Sequence, residues 1–247
     1  MGFFLQQQDL EKINKLLLKA HPFNNYDDAF DLIQKRKERF VISFLNMYAL
    51  QLSLKNDLFY KAIYNSDLLF FDGIAVKILC KFLKVTYGIN MNGTDFIPAL
   101  ISKLNKCRYS IFASNNETLE MFRKKYTNLQ LVSLMNGFHE YDLYVQEAKR
   151  NNADILLLGM GMPKQEILSS MIKENNIIIN GGAIVDYMSG YKRRSPGIFV
   201  TLKIEWLYRM FYEPKRLLMR YISGFFLLLR IIFSRFVFRR KTGAVFF

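Results

Sequence analysis

Six short apolar runs constrain the fold of this chain more than any other feature: FVISFL (40–45), LLFF (68–71), YSIFA (109–113), LQLVSL (129–134), DILLLG (154–159) and NIIIN (176–180). They are rich in Ile, Leu, Val and Phe, helix-compatible segments separate them, and from residue 109 they recur every 20 to 25 residues. Strands that are apolar on both sides must be buried between two layers, and this spacing is that of βα units. The pattern predicts an α/β chain with a Rossmann-like core and a mainly parallel sheet over residues 38–195. Residues 1–37 read as a helical N-terminal segment in two pieces, broken at His21-Pro22. Residues 196–247 read as a basic, amphipathic, helical C-terminal appendage. With 247 residues, 51% of them apolar, the chain can bury a sizeable core.

Charge is concentrated in that appendage. Of the net +14, residues 191–247 supply 13 Lys and Arg against Glu205 and Glu213, which leaves +3 for the first 190 residues. The same segment contains YISGFFLLLRIIFSRFVF (221–238), whose charges are Arg230 and Arg235. As a helix it would reach roughly 27 Å at about 1.5 Å per residue, short of a bilayer core of about 30 Å. An interfacial helix is expected, with Arg239, Arg240 and Lys241 suited to anionic headgroups. The alternative is a helix packed on the core with solvated arginines. Cys80 and Cys107 lack metal-ligand spacing and are too few for a disulfide framework, which fits a reducing cytosol. The first 20 residues hold no signal-like apolar core and Gln6 spoils a myristoylation signal, so the chain is expected not to be exported.

In parallel α/β sheets, ligands sit beyond the carboxyl ends of the strands, and several of those ends are polar here. In GMGMPKQE (159–166), Gly159 and Gly161 end a strand, Pro163 suits a first helical position, and Lys164, Gln165 and Glu166 fill the first turn. A helix opening there offers N–H groups to an anion, although glycines at tight βα turns also serve purely steric ends. The spacing is neither a Walker motif nor a full dinucleotide fingerprint. Asp72 and Gly73 follow LLFF, either as a general base in an apolar setting or as an Asp-Gly turn. Thr94 and Asp95 precede a helical segment, which favours an N-cap role for one of them. Gly181 and Gly182 follow the last strand, then Lys192, Arg193 and Arg194, either a phosphate site or a solvated loop.

Taken in order, DG (72–73), NGTD (92–95), GMGMPKQE (159–166), NGGAIVDYMSG (180–190) and EWLYRMFYEPKRLLMRY (205–221) resemble the WecG/TagA/CpsF family of bacterial glycosyltransferases. The resemblance runs over roughly residues 25–221. It implies inverting transfer of a sugar from a UDP-sugar to an undecaprenyl-diphosphate-linked saccharide, with no cofactor and no obligatory metal. The donors it implies are N-acetylmannosamine, its uronic acid or glucose. It implies that Asp72 is the catalytic base. Asn46, Gly73, Thr94, Asp95, Gly159, Gly161, Pro163, Lys164, Gln165, Glu166 and Gly182 would line the nucleotide-sugar site. Arg209, Arg216 and Arg220 resemble ligands of the acceptor or its diphosphate. Phe44 and Asn90 depart from the family pattern, which often has Thr and Arg at these positions.

The implied partners are a UDP-sugar, a polyprenyl-diphosphate-linked acceptor and an anionic membrane surface at the inner face of the cell membrane, with a homo-oligomer off the membrane. Arg216 and Arg220, four residues apart, share a helix face, and guanidiniums suit a diphosphate. No D-x-D element occurs to hold a metal-bound diphosphate. The rival from another class is a non-catalytic peripheral scaffold with a Rossmann-like body. Nucleic-acid binding is disfavoured because the tail interleaves its arginines with large apolar residues, which suits lipid. The missing fingerprint disfavours a nicotinamide-dependent oxidoreductase.

Overall fold

A computed structural model describes residues 4–174, 176–201 and 205–242, without the side chains of 200, 201, 209, 216, 236 and 238–242. The chain opens with α1 (Gln7–Lys19) and α2 (Tyr26–Gln34), and the core then runs β1 (Phe40–Leu45), α3 (Met47–Lys55), α4 (Asp57–Tyr64), β2 (Leu68–Phe71), α5 (Ile74–Leu83) and α6 (Gly93–Lys103). It continues with β3 (Arg108–Ala113), α7 (Asn116–Lys125), β4 (Gln130–Met135), α8 (Tyr141–Asn151), β5 (Ile155–Gly159), α9 (Lys164–Met171), β6 (Ile177–Asn180) and α10 (Ile184–Ser189). Three helices follow: α11 (Gly197–Thr201), α12 (Glu205–Tyr212) and α13 (Pro214–Thr242).

The six strands form one sheet in the order β2-β1-β6-β5-β3-β4, every pairing parallel. The six apolar runs are therefore the six strands. Alternation along β1 shows how both faces are filled. Phe40, Ile42 and Phe44 pack beneath α2, α6, α7 and α10. On the other side Val41 meets α8 and α9, and Leu45 meets α1, α3, α4 and α5. The result is a three-layer α/β Rossmann-like core.

Chain order reverses at β1, which sits between β2 and β6. This brings the carboxyl ends of β1, β2, β6 and β5 side by side, the place where such sheets bind ligands.

The C-terminal helix is not a free appendage. On one side Leu227, Leu228 and Ile231 are buried with Leu45, Leu50, Val76 and Leu79, and the Leu5 N–H donates to Ser234 Oγ at 2.8 Å. Gly224 lies against Met47, and Ser223 Oγ donates to Gln51 Oε1 at 3.0 Å. On the other side Ile222, Phe225 and Phe226 face outward. The stretch Leu217–Arg235 has a mean hydropathy of 1.7 and is long and apolar enough to cross a membrane by length and composition. With one side committed to the body, its outward side suits the plane of an interface. Arg239, Arg240 and Lys241, expected at the headgroups, lie outside the described side chains.

Candidate active site

The site is built from four strand ends. Beyond β1, Asn46 caps α3 by accepting from the Ala49 N–H at 3.0 Å through Oδ1. That bond turns the amide nitrogen the other way, and Nδ2 donates to Asp72 Oδ2 at 3.4 Å. The cap thus orients the Asn46 amino group toward the carboxylate.

Beyond β2, the Asp72 N–H donates to the Leu45 carbonyl at 3.0 Å, extending the ladder by one residue and leaving the half-buried carboxylate at the mouth of the sheet. Asn90, the family departure, has a clear local function. Its Oδ1 accepts from the Gly73 N–H at 2.8 Å and from the Tyr87 hydroxyl at 2.9 Å, pinning the Asp-Gly turn. Burial, together with the charge of Asp72, raises the Tyr87 phenol. Tyr26 is pushed up to about 12 by burial and by Asp95 and Asp72. Sequence reasoning passed over both tyrosines because neither sits in a motif.

Asn92 is the N-cap of α6, accepting from the Asp95 N–H at 3.0 Å, so neither Thr94 nor Asp95 is the cap. Asp95 instead pairs with Arg194, and Asn92 Nδ2 donates to it at 2.7 Å. Thr94 is half-buried in the same helical turn. The Lys192–Arg194 run is not merely solvated: Lys192 bridges Asp186 at 2.8 Å and Glu213 at 3.1 Å, tying the loop to the start of α13.

The glycines beyond β5 and β6 divide into two kinds. A Cβ on Gly159 would lie 2.6 Å from the Ala113 Cβ and 3.0 Å from the Gly182 carbonyl, so this glycine permits strand packing. Gly161 (φ +83°) and Gly182 (φ +61°) have nothing within 4 Å of that position and face open space. Their conformation lies in the left-handed region that favours glycine.

Behind them the polar turn points inward. Pro163 follows a cis peptide bond and is the N-cap rather than the first residue of α9. Lys164 donates to the carbonyls of Gly137 (3.1 Å) and His139 (2.6 Å), with its ammonium 5.2 Å from the Tyr144 ring centre, which holds the β4–α8 loop. Gln165, 1% exposed, accepts through Oε1 from the N–H groups of Gly161 and Gly182, each at 3.0 Å. The N–H groups of Gly161 and Gly182 are thus engaged in fastening the two turns together.

Gln165 Nε2 donates to Glu166 Oε1 at 2.8 Å, and this carboxylate sets which way round the amide lies. Glu166 is 0% exposed, and its Oε2 has no hydrogen-bond partner among the described residues. Burial pushes the carboxyl up to about 7 against the Gln165 bond and the field of Arg220.

This arrangement makes stability depend on pH. Between the ordinary value of 4.5 and about 7, the folded chain holds a proton that the unfolded chain has released, so stability falls as pH rises through that window. Glu166→Gln is expected to melt with a shallower loss than the parent between pH 5 and pH 8, by on the order of 3 kcal/mol. Parallel melting curves for the two proteins would show that this carboxyl does not titrate there.

Of the three tail arginines, the structure describes one side chain. The Arg220 guanidinium centre lies 4.2 Å from the Tyr48 ring centre, two residues beyond Asn46, and its charge reaches Glu166. Stacking on Tyr48 holds the guanidinium plane in position. Arg209 on α12 and Arg216 in the first turn of α13 carry side chains outside those described. Among the described residues, no three His, Cys, Asp or Glu side chains converge as metal ligands.

Over 207 residues the chain is 22% identical to the N-acetylglucosaminyldiphosphoundecaprenol N-acetyl-beta-D-mannosaminyltransferase of Bacillus subtilis (strain 168), covering 78% of this chain and 81% of the relative. Over 168 residues it is 23% identical to the Bacillus spizizenii protein of the same name, covering 64% of this chain and 65% of that one, about two thirds of the relative's length. The glycosyl transferase WecG/TagA/CpsF family matches residues 17–242, nearly the whole chain, and the protein belongs to that family.

Proposed function

We propose that the protein is a glycosyltransferase of cell-envelope polysaccharide synthesis. It moves a hexose or N-acetylhexosamine of the N-acetylmannosamine, mannosaminuronic or glucose type from a UDP-sugar to an undecaprenyl-diphosphate-linked saccharide. The observation that carries this reading is the convergence of Asn46, Asp72, Gly161 and Gly182 at four adjacent strand ends, with Arg220 stacked on Tyr48 beside them. The names of the two Bacillus relatives support the same acceptor class.

In the proposed reaction the Asp72 carboxylate accepts the proton of the acceptor hydroxyl as its oxygen attacks the anomeric carbon. The bond from that carbon to the diphosphate breaks on the opposite side, and its electron pair leaves with UDP, so the sugar inverts. Asn46 Nδ2 holds the carboxylate in place. Gly161 and Gly182 leave room for the donor, and Gln165 and Glu166 act behind the turn by fixing its shape. Negative charge building on the diphosphate falls to Arg220 and the neighbouring tail cations, an electrostatic contribution made in advance of the reaction. The outward apolar side of α13 supports a peripheral position at the inner face of the membrane.

Calorimetry with a panel of UDP-sugars, followed by transfer to a short-chain soluble acceptor, tests this reading. Micromolar binding of one UDP-sugar and transfer that survives saturating EDTA are expected. The scaffold reading predicts no UDP-sugar binding. A strict Mg²⁺ or Mn²⁺ requirement would overturn the metal-free part of the mechanism.

A further inference from the structure

Helix α5 carries a second outward apolar ridge, on the body of the protein rather than on its tail. Val76, Leu79, Cys80 and Leu83 form its inner side and are buried against Phe71 and the inner face of α13. On the opposite side Ile74, Ile78 and Phe82 succeed one another at intervals of one turn, with Ile74 47% and Ile78 49% exposed. Lys77 and Lys81 flank this ridge, Lys84 closes the helix, and α5 contains no acidic residue.

The ridge continues a neighbouring surface. α5 packs along α13, whose outward Phe225 and Phe226 are 58% and 53% exposed. Two touching helices thus each bury one side in the same core and leave large apolar groups outside. Apolar ridges bordered by cations suit the headgroup boundary of an anionic bilayer. A second copy of this chain fits less well, because a self-complementary contact through α5 would bring Lys77 and Lys81 against their own counterparts.

We propose that the outward face of α5, formed by Ile74, Ile78 and Phe82 between Lys77 and Lys81, docks on an anionic lipid bilayer. Because α5 begins two residues after Asp72, docking holds the base turn at the membrane surface, where a lipid-linked acceptor presents its sugar. The inference rests on the proposed membrane-bound acceptor, and its test separates the two.

The full-length chain is sedimented with vesicles of phosphatidylcholine alone and with about one third phosphatidylglycerol, and UDP-sugar binding is measured on the same samples. Ile74→Ser/Ile78→Ser should weaken partitioning to the anionic vesicles by at least about tenfold, with UDP-sugar affinity and melting temperature unchanged. Lys77→Glu/Lys81→Glu should lose a similar amount, and only on the anionic vesicles.

Parent-like partitioning of the double serine variant overturns the docking face and leaves the enzyme reading intact. Lost self-association with unchanged vesicle binding overturns it in favour of a second copy. A parent that ignores vesicles overturns it as well. Should the serine variant fail to fold, Ile78→Trp in a Trp206→Phe background decides: emission quenched by brominated-chain lipids supports the proposal, and unquenched emission in the vesicle-bound protein refutes it. Failure of UDP-sugar binding with vesicle binding retained would remove the proposed donor while leaving the α5 result standing.

Discussion

Asp72→Asn is expected to lower turnover by at least about 100-fold while UDP-sugar affinity stays within about twofold of the parent. Positioned general bases contribute roughly 10²- to 10⁴-fold, and the amide of asparagine cannot take the acceptor proton. The substitution is nearly isosteric. The backbone bond from residue 72 to the Leu45 carbonyl does not involve the side chain, and Asn46 Nδ2 can still donate to an amide oxygen at this position. Binding and chemistry should therefore separate, with kcat falling and the donor dissociation constant holding. Single-turnover transfer, with donor binding measured by calorimetry, provides the check. Retained turnover in the variant would take Asp72 out of the mechanism and return it to a turn residue.

The contrast between Asp72 and its surroundings shows what a sequence of this kind reveals. The strands were readable because a sheet covered on both faces demands continuous apolar runs, and FVISFL, LLFF and NIIIN match β1, β2 and β6 residue for residue or nearly so. Asp72 and Asn46 were readable because strand ends are where such sheets act. The direction in which side chains of the polar turn point was not readable. Lys164, Gln165 and Glu166 look like a ligand-facing helix opening, yet Lys164 and Gln165 fasten loops and Glu166 is buried behind Gln165, and only the tertiary structure reveals it. Asn90 and Tyr87 act on the Asp-Gly turn from 17 and 14 residues beyond Gly73, a distance no local motif spans. The cap of α6 at Asn92 was hidden by equally capable Thr94 and Asp95. α13 is apolar on opposite sides, one for the core and one outward, so no single amphipathic stripe marks the docked face.

That two-sidedness decides how the tail can be tested. Deleting residues after Ser195 would uncover Leu45, Leu50, Val76 and Leu79, so lost activity would be confounded with lost packing. Point variants avoid this. Arg220→Ala is expected to lower transfer, even to a short-chain soluble acceptor, by about 100- to 1000-fold, the usual scale for removing one positioned donor from a developing negative charge. Vesicle binding should change little, since one cation near the headgroups contributes only about 1 kcal/mol. Arg220→Lys should recover part of the rate, because an ammonium keeps the charge but loses both the planar fork and the stack on Tyr48. Phe225→Ser/Phe226→Ser should do the reverse: these side chains face outward, so the core stays covered while vesicle binding falls by about tenfold or more. Transfer to the soluble acceptor should persist in that variant, because Ser223 and Gly224 still seat α13 on α3 and keep Arg220 beside Asn46. Sedimentation with vesicles and sugar transfer, measured on the same four proteins, separate the two roles. If Arg220→Ala transfers sugar at the parent rate, the guanidinium on Tyr48 is a packing contact and the diphosphate must be neutralised elsewhere.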